Sequence, residues 1–325
     1  MFFREGIIIK PFKTLDEQLK ILEQRGLTIS NPEKAKHYLL QYSYYNIINV
    51  YSKFFQNKPN VFIEGATFEE IKAVHSFDSE IKAVFFKHLI EAEKHFKSIF
   101  AYRFAEANAD IPYAYLKTNT YSKNTSLIDL SNIISQLSKI LLHKNKKNSQ
   151  NAVRHYHQNH GDVPIWVIIN ELSFRPAIEM YKHLTDDLKN NIAKDLTIFL
   201  AENTGTNIKV EPMQIELMLF NLNDIRNCVA HDNLLLNFKA RNNIKYIPEV
   251  HDCGGLSKTD PKQSVYSILL ILQIFLNKGQ YEILYKTVMK RIKKLSRKLD
   301  TVPIFNITDS LGFPKEVIIK ELSLQ

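Results

Sequence analysis

A chain of 325 residues that is 45% apolar and 11% aromatic is long enough, and greasy enough, to bury a full core as one large domain or two ordinary ones, which excludes a disordered or fibrous protein. Its nine glycines and eleven prolines lie among long stretches rich in Leu, Ile, Lys and Glu, so helix is expected over sheet, and no apolar run reaches the length of a bilayer span. A formal charge of +9 points to an anionic partner, nucleic acid before membrane, because no segment at an end of the chain joins a strong apolar face to a basic one.

The start MFFREGIIIKPF has no signal-peptide core, and the two cysteines, Cys228 and Cys253, stand outside any metal-ligand spacing. A reducing, cytoplasmic setting is therefore expected. After an irregular lead-in over residues 1–10, Thr14 and Glu17 form a capping box for a helix that carries Leu15, Leu19 and Leu22 and ends at Gly26. Asn31 and Pro32 start a second helix, expected to run to about Phe55, with Tyr38, Tyr42, Tyr44, Tyr45 and Tyr51 interleaved among apolar residues. Such tyrosines either stack on bases or, more commonly, line a helix–helix core with their hydroxyls reaching the surface.

A loop over Gln56–Ala66 leads to Thr67, which with Glu70 caps the longest helix, to about Asn108. His88, Glu91 and His95 share one face of it, a spacing that ligates metal only if another helix adds carboxylates; the paired Glu-x-x-His signature of di-iron bundles is missing. A loop to Ser126 precedes a helix to about Lys144, and Lys144–His160 reads as a polar, solvated stretch. His155, His157 and His160 within it lack a partnering Cys or Asp in a recognised metal spacing. Pro164 and Trp166 open a helix that Pro176 is expected to interrupt or kink, and Thr185 caps another to about Leu200.

The stretch EPMQIELMLFNLNDIRNCVAHDNLLLNFK, Glu211–Lys239, holds the constellation that suggests chemistry. Pro212 and the apolar run Ile215, Leu217, Met218, Leu219, Leu222, Ile225 and Val229 predict a largely buried helix beginning near Pro212. Asn223, Asn227 and His231 follow one another at i, i+4 and i+8, flanked by Asp224, Arg226 and Asp232. Histidine takes and gives a proton near neutrality, and arginine matches phosphate oxygens with a rigid fork of donors. With Asn227 as an orienting amide, Arg226 and His231 are the candidate catalytic pair for activating a ribose 2′-OH against its 3′-phosphate, chemistry that calls for no cofactor and no metal. Residues five apart point about 140° from each other on a helix, so Arg226 must reach round or a second chain must complete the site. Arg154 and His160 repeat a similar spacing within RHYHQNHGD. Beyond Lys239, residues 240–260 read as a long loop, followed by helices over Gln263–Leu276 and Glu282–Leu299 and a short terminal helix after Pro303 and Pro314. The second helix presents Lys290, Arg291, Lys294, Arg297 and Lys298 as candidate RNA-binding residues, and HKNKKN, His143–Asn148, is a smaller basic cluster.

RNCVAH resembles the Arg-Asn-x-x-Ala-His core of the HEPN ribonuclease superfamily. Four segments, Lys10–Ile29, Tyr42–Phe55, Ile90–Asn108 and Pro164–Phe174, resemble in order the bacterial Abi-like (AbiD/AbiF type) abortive-infection proteins, so the likeness covers about residues 8–240. Relatives commonly carry an arginine shortly after the histidine, where this chain has Asn233 and Leu234. The resemblance implies an all-α, HEPN-type bundle of roughly ten helices with extra N- and C-terminal helices. It would form one domain over 1–325, with an alternative internal boundary near 245 that sets the core apart from basic helices over 246–325. It also implies a metal-independent endoribonuclease used as a toxin or anti-phage effector, a symmetric homodimer with a composite site, RNA as substrate and a small non-coding RNA as a further partner. In such proteins the long helix packs beside the Arg–His helix, which makes Glu91 or Glu93 the residue expected to orient the site. Two other readings stay open: a non-catalytic RNA-binding protein holding a structured non-coding RNA, and a helical protein-interaction scaffold.

Overall fold

A computed structural model describes residues 11–146 and 150–323; the lead-in over 1–10 and the end of the His143–Asn148 cluster lie outside the described residues. The chain is all-α, 67% helical, with one two-stranded sheet among the described residues. It divides into two compact units. One runs to Ile81 and takes in Lys290–Asp309; the other comprises Lys82–Met289 and the segment from Ser310 onward, so residue 245 lies inside the second.

In the first unit, α1 (Leu15–Gln24) begins with the expected capping box of Thr14 and Glu17. The expected helix from Pro32 to Phe55 is broken: α2 (Pro32–Tyr42) stops at Ser43, whose φ of 65° no helix accommodates, and the chain resumes as a π turn over Tyr45–Asn49 and a 3-10 turn over Ser52–Phe55. The Ser43 hydroxyl accepts from Asn46 N–H and restarts the coil, a local competition that apolar periodicity does not reveal. Where a loop is expected, Gln56–Lys58 and Val61–Phe62 pair as an antiparallel hairpin, β1 and β2, turned by Asn60 at positive φ. Tyr38 and Tyr51 are buried, the latter donating to Asp78 at 2.9 Å, whereas Tyr45 stays exposed; the core role accounts for the first two.

The long helix α3 (Phe68–Ala107) starts with the expected reciprocal cap between Thr67 and Glu70. Glu70 also accepts from the backbone N–H of Asp300 and Thr301 and from the Thr301 hydroxyl, which fixes the turn that follows the basic helix. Burial alone would raise its pKa, but these donors outweigh it and hold the carboxyl below the usual range.

The second unit contains the remainder of α3, then α4 (Leu127–Lys144), α5 (Ala152–His160), α6 (Ile165–Ile168), α7 (Phe174–Lys182), α8 (Asp186–Thr204), α9 (Pro212–Ala230), α10 (Pro248–His251), α11 (Val265–Ile271) and most of α12 (Lys278–Ser296). α13 (Ile304–Asp309) belongs to the first unit and α14 (Lys315–Ser323) to the second. Two expectations are corrected here. The stretch expected as a solvated loop forms α5, because Asn151 caps its first turn and Gly161 ends it in the left-handed region. Pro176 does not kink a continuous helix; the break falls earlier, at Leu172 and Ser173, and Pro176 sits in the first turn of α7, where its missing N–H costs nothing. α11 is buried all round and packs against α9, whose apolar face (Ile215, Met218, Leu219, Leu222, Ile225) also meets α7 and α8. The fork of Arg103 closes on both oxygens of Asp195, at 2.6 and 2.7 Å, and ties α3 to α8.

Candidate active site

α9 is the most deeply buried long helix of its unit, yet several polar residues on it are buried with it. Asn221, fully buried, accepts from Asn242 N–H and donates to Asn242 C=O, and Asp224 clasps Arg241, so these side chains pin the loop that follows the helix. Cys228 donates its thiol to the carbonyls of Asn233 and Leu234. The polar stripe expected from the sequence is thus divided between structural and available groups.

The helix ends in a Schellman turn: Asn233 N–H reaches back to Cys228 C=O at 2.9 Å and Asp232 N–H to Val229 C=O at 3.3 Å. The left-handed position, usually glycine, is Asp232 with φ 55°, a conformation unfavourable for most residues but tolerated by Asp. The ammonium of Lys82, a residue only 6% exposed on α3, meets the Asp232 carboxylate at 2.5 Å and holds this turn in place. His231 is the capping residue just before it. Its backbone N–H closes on Asn227 C=O at 3.1 Å, and its imidazole is exposed, with no hydrogen bond to another described residue.

Arg226 lies on a different side of the helix. Its Nη1 donates to Asn227 Oδ1 at 3.3 Å, and its Nε, buried and without a hydrogen bond among the described residues, faces Glu93 Oε2 at 4.0 Å. Glu93 comes from α3 and is itself buried. Its other oxygen accepts from Lys97 Nζ at 2.6 Å, and the same ammonium donates to Leu172 C=O at 2.6 Å. Of the two acidic residues expected near the site, Glu93 is the one beside Arg226; Glu91 pairs with Lys94. The Asn227 side chain accepts from the arginine, and among the described residues no hydrogen bond joins it to the histidine ring. Lys97, the buried cation that joins Glu93 to the Leu172 turn, was missed by sequence reasoning; its i, i+4 spacing from Glu93 was the available signal.

The other candidates are scattered. His88 bonds to Val84 C=O within its own helix, and His95 bonds to Phe275 C=O while stacking on Phe199. His157 meets the Tyr113 hydroxyl, and among the described residues no cluster of His, Cys, Asp or Glu has the arrangement of a metal site. Of the five candidate RNA-binding residues, all in the first unit, Arg291 and Lys294 both pair with Glu80, which neutralises much of their charge, whereas Lys290, Arg297 and Lys298 are exposed and unpaired among the described residues.

The structure is that of an all-α protein in which the candidate Arg–His pair lies at the end of a buried helix. The family model described as "Abi-like protein" matches residues 37–237, more than half of the chain, and the chain belongs to that family, which connects it to abortive infection. No curated protein and no solved structure matches. None of the helices among the described residues is long and apolar enough to cross a membrane.

Proposed function

We propose that this chain is a HEPN-type endoribonuclease of the AbiD/AbiF kind, acting in abortive infection as a toxin, with Arg226 and His231 as its catalytic residues. The observation that carries the proposal is the setting of Arg226: a half-buried guanidinium, loosely braced by Glu93 and Asn227, beside an exposed histidine that ends the same helix. A guanidinium held by a 4.0 Å ion pair keeps donors for a phosphate, and Glu93 sets its direction without neutralising it by a close contact.

The reaction is a transesterification. A histidine accepts the ribose 2′-OH proton as that oxygen bonds to phosphorus, the bond from phosphorus to the 5′-oxygen breaks, and the departing oxygen takes a proton from an imidazolium. The products are a 2′,3′-cyclic phosphate and a 5′-OH, and Arg226 stabilises the charge that accumulates on the phosphoryl oxygens. His231 lies about 7 Å further along the helix axis than Arg226 and on another face, so two helix ends facing each other across a symmetric homodimer supply both proton-transfer groups and both guanidinium groups.

Incubating the purified chain with bacterial RNA in EDTA tests this. New 5′-OH ends and cyclic phosphates are expected from the wild type and not from His231→Ala; cleavage that persists in a folded His231→Ala protein overturns the assignment. The second reading, an RNA-binding protein without catalysis, draws on exposed Lys290, Arg297 and Lys298, and predicts RNA affinity in the absence of any cleavage.

A further inference from the structure

Beside the Arg–His site, within the same unit, α3 and the Trp166 segment enclose an open cleft of about 520 Å³, in the range of small-molecule sites. Its floor is the α3 face that carries Ser98, Ala101 and Ala105, side chains too small to fill the groove. Two aromatic rings stand at its walls, Tyr102 at 62% exposed and Trp166 at 53% exposed, and no ring contact joins them to each other. Trp166 has no ring partner among the described residues, and Tyr102 carries the Arg103 guanidinium 5.3 Å from its ring centre, so the two rings border the cleft as an exposed π surface with a cation beside it.

The cleft is linked to the candidate active site through one buried side chain. Lys97 lines its near end, and its ammonium binds Glu93, the residue that faces Arg226. The same ammonium ties down the Leu172 carbonyl and so fixes the segment that carries Trp166 against α3. Glu93, Lys97, Ala101 and Ala105 follow one another in steps of four along one helix face, over about 18 Å. A strand that follows this side of α3 away from a phosphate at Arg226 reaches the groove.

The lining suits a nucleotide better than a protein side chain. Lys94 at the rim carries an exposed ammonium paired with Glu91, and the Ser98 hydroxyl and the Asn170 carbonyl oxygen offer groups for a base edge. Lysine is depleted at the centres of protein interfaces, whereas aromatic rings interleaved with cations are the usual platform for single-stranded nucleic acid. The one carboxylate on the rim, Glu106, is engaged by Arg103 at 2.7 Å.

We infer that this cleft is a base-binding subsite, in which an unstacked base of single-stranded RNA lies on Trp166 and Tyr102 while the adjoining backbone runs to Arg226. The inference rests on the ribonuclease reading and adds the substrate class, a single strand or loop with at least one splayed base. It also explains a feature of the sequence: the PIWVIINELSF segment carries a tryptophan at an exposed position, where apolar packing gives no reason for one.

Trp166 is the only tryptophan in the chain, so its fluorescence reports on this segment and the cleft beside it. The full-length His231→Ala protein is titrated with a fluorescein-labelled single-stranded RNA oligonucleotide, with anisotropy and tryptophan emission read in parallel. The two signals should saturate together, and inorganic polyphosphate should leave the emission unchanged. Trp166→Ala and Tyr102→Ala in the same background should each weaken RNA binding roughly ten- to a hundred-fold by anisotropy, with polyphosphate binding unaffected. Because both rings are exposed, neither truncation opens a core cavity. RNA binding with unaltered emission, and with wild-type affinity in both variants, overturns the subsite and leaves the ribonuclease reading standing. Emission that changes with protein concentration before RNA is added assigns the cleft to self-association and overturns the subsite equally. Absence of RNA binding by anisotropy in every variant removes the subsite together with the reading on which it rests.

Discussion

In the proposed reaction Arg226 and His231 divide the chemistry between a braced cation and an exposed proton carrier, and each should fail in its own way when changed. His231→Ala should lower the cleavage rate by about 10²- to 10⁴-fold with little change in RNA affinity, since a general acid–base group acts mainly in the transition state. Arg226→Lys keeps the charge but loses the fork, and a fall of about 10²-fold or more is expected in the same single-turnover assay. Asp232 gives a subtler test. Alanine there would occupy a left-handed position and deprive buried Lys82 of its carboxylate. Because Asp232 itself is largely exposed, the expected loss is only ~1–2 kcal/mol in a denaturant melt, but the turn that aims His231 would loosen and the rate should fall with it. A wild-type rate in a measurably destabilised Asp232→Ala protein would show that the turn does not position the histidine.

At the level of elements, the positions of most helices were readable from caps and periodicity, and the exceptions have local causes. Thr14 with Glu17 and Thr67 with Glu70 announce their helices because a side chain and a backbone N–H exchange hydrogen bonds within four residues. The helix that breaks at Ser43 and the one that forms after Asn151 were both misjudged, since a single serine or asparagine decided the outcome against the average character of its neighbours. The Arg–His helix was legible from Pro212 and its apolar run. Which acidic residue faces Arg226 was not, because Glu91 and Glu93 point about 200° apart on the helix and only the packing decides which face turns toward α9. Glu70 supports a prediction at this scale. Its carboxylate, held at a lowered pKa, contributes stability that is complete above the unfolded value near 4.5 and is lost as pH falls through the lower folded value. Glu70→Gln should cost ~2 kcal/mol at neutral pH and flatten the acid limb of the stability profile below about pH 4.5.

Two properties belong to the molecule as a whole. Buried histidines tie its stability to pH: burial lowers the pKa of His251, assisted by Lys262, although the backbone bond to Ile247 opposes the shift, and burial likewise lowers that of His88. Both are neutral in the folded chain, so their contribution is full above about 6.5, the unfolded value, and disappears as pH falls through the lower folded values. The melting temperature should therefore drop on going from pH 7 toward pH 5, and the drop should shrink in His251→Leu. With the net charge of +9, the proposed RNA binding should depend on salt. Changing Lys290, Arg297 and Lys298 together to Gln should reduce the slope of log affinity against log salt by about 2 if all three contact a single strand, while the cleavage chemistry at saturating RNA stays as it was. An unchanged slope would remove the basic helix from the RNA-binding surface.

The most direct test of the central claim is the single-turnover cleavage of RNA by the wild-type chain and by the Arg226→Ala/His231→Ala double variant, both verified as folded, with the new ends identified. The account predicts cyclic phosphates and 5′-OH ends from the wild type and intact RNA from the variant. Equal cleavage by both proteins, or wild-type products ending in 5′-phosphates, would contradict it.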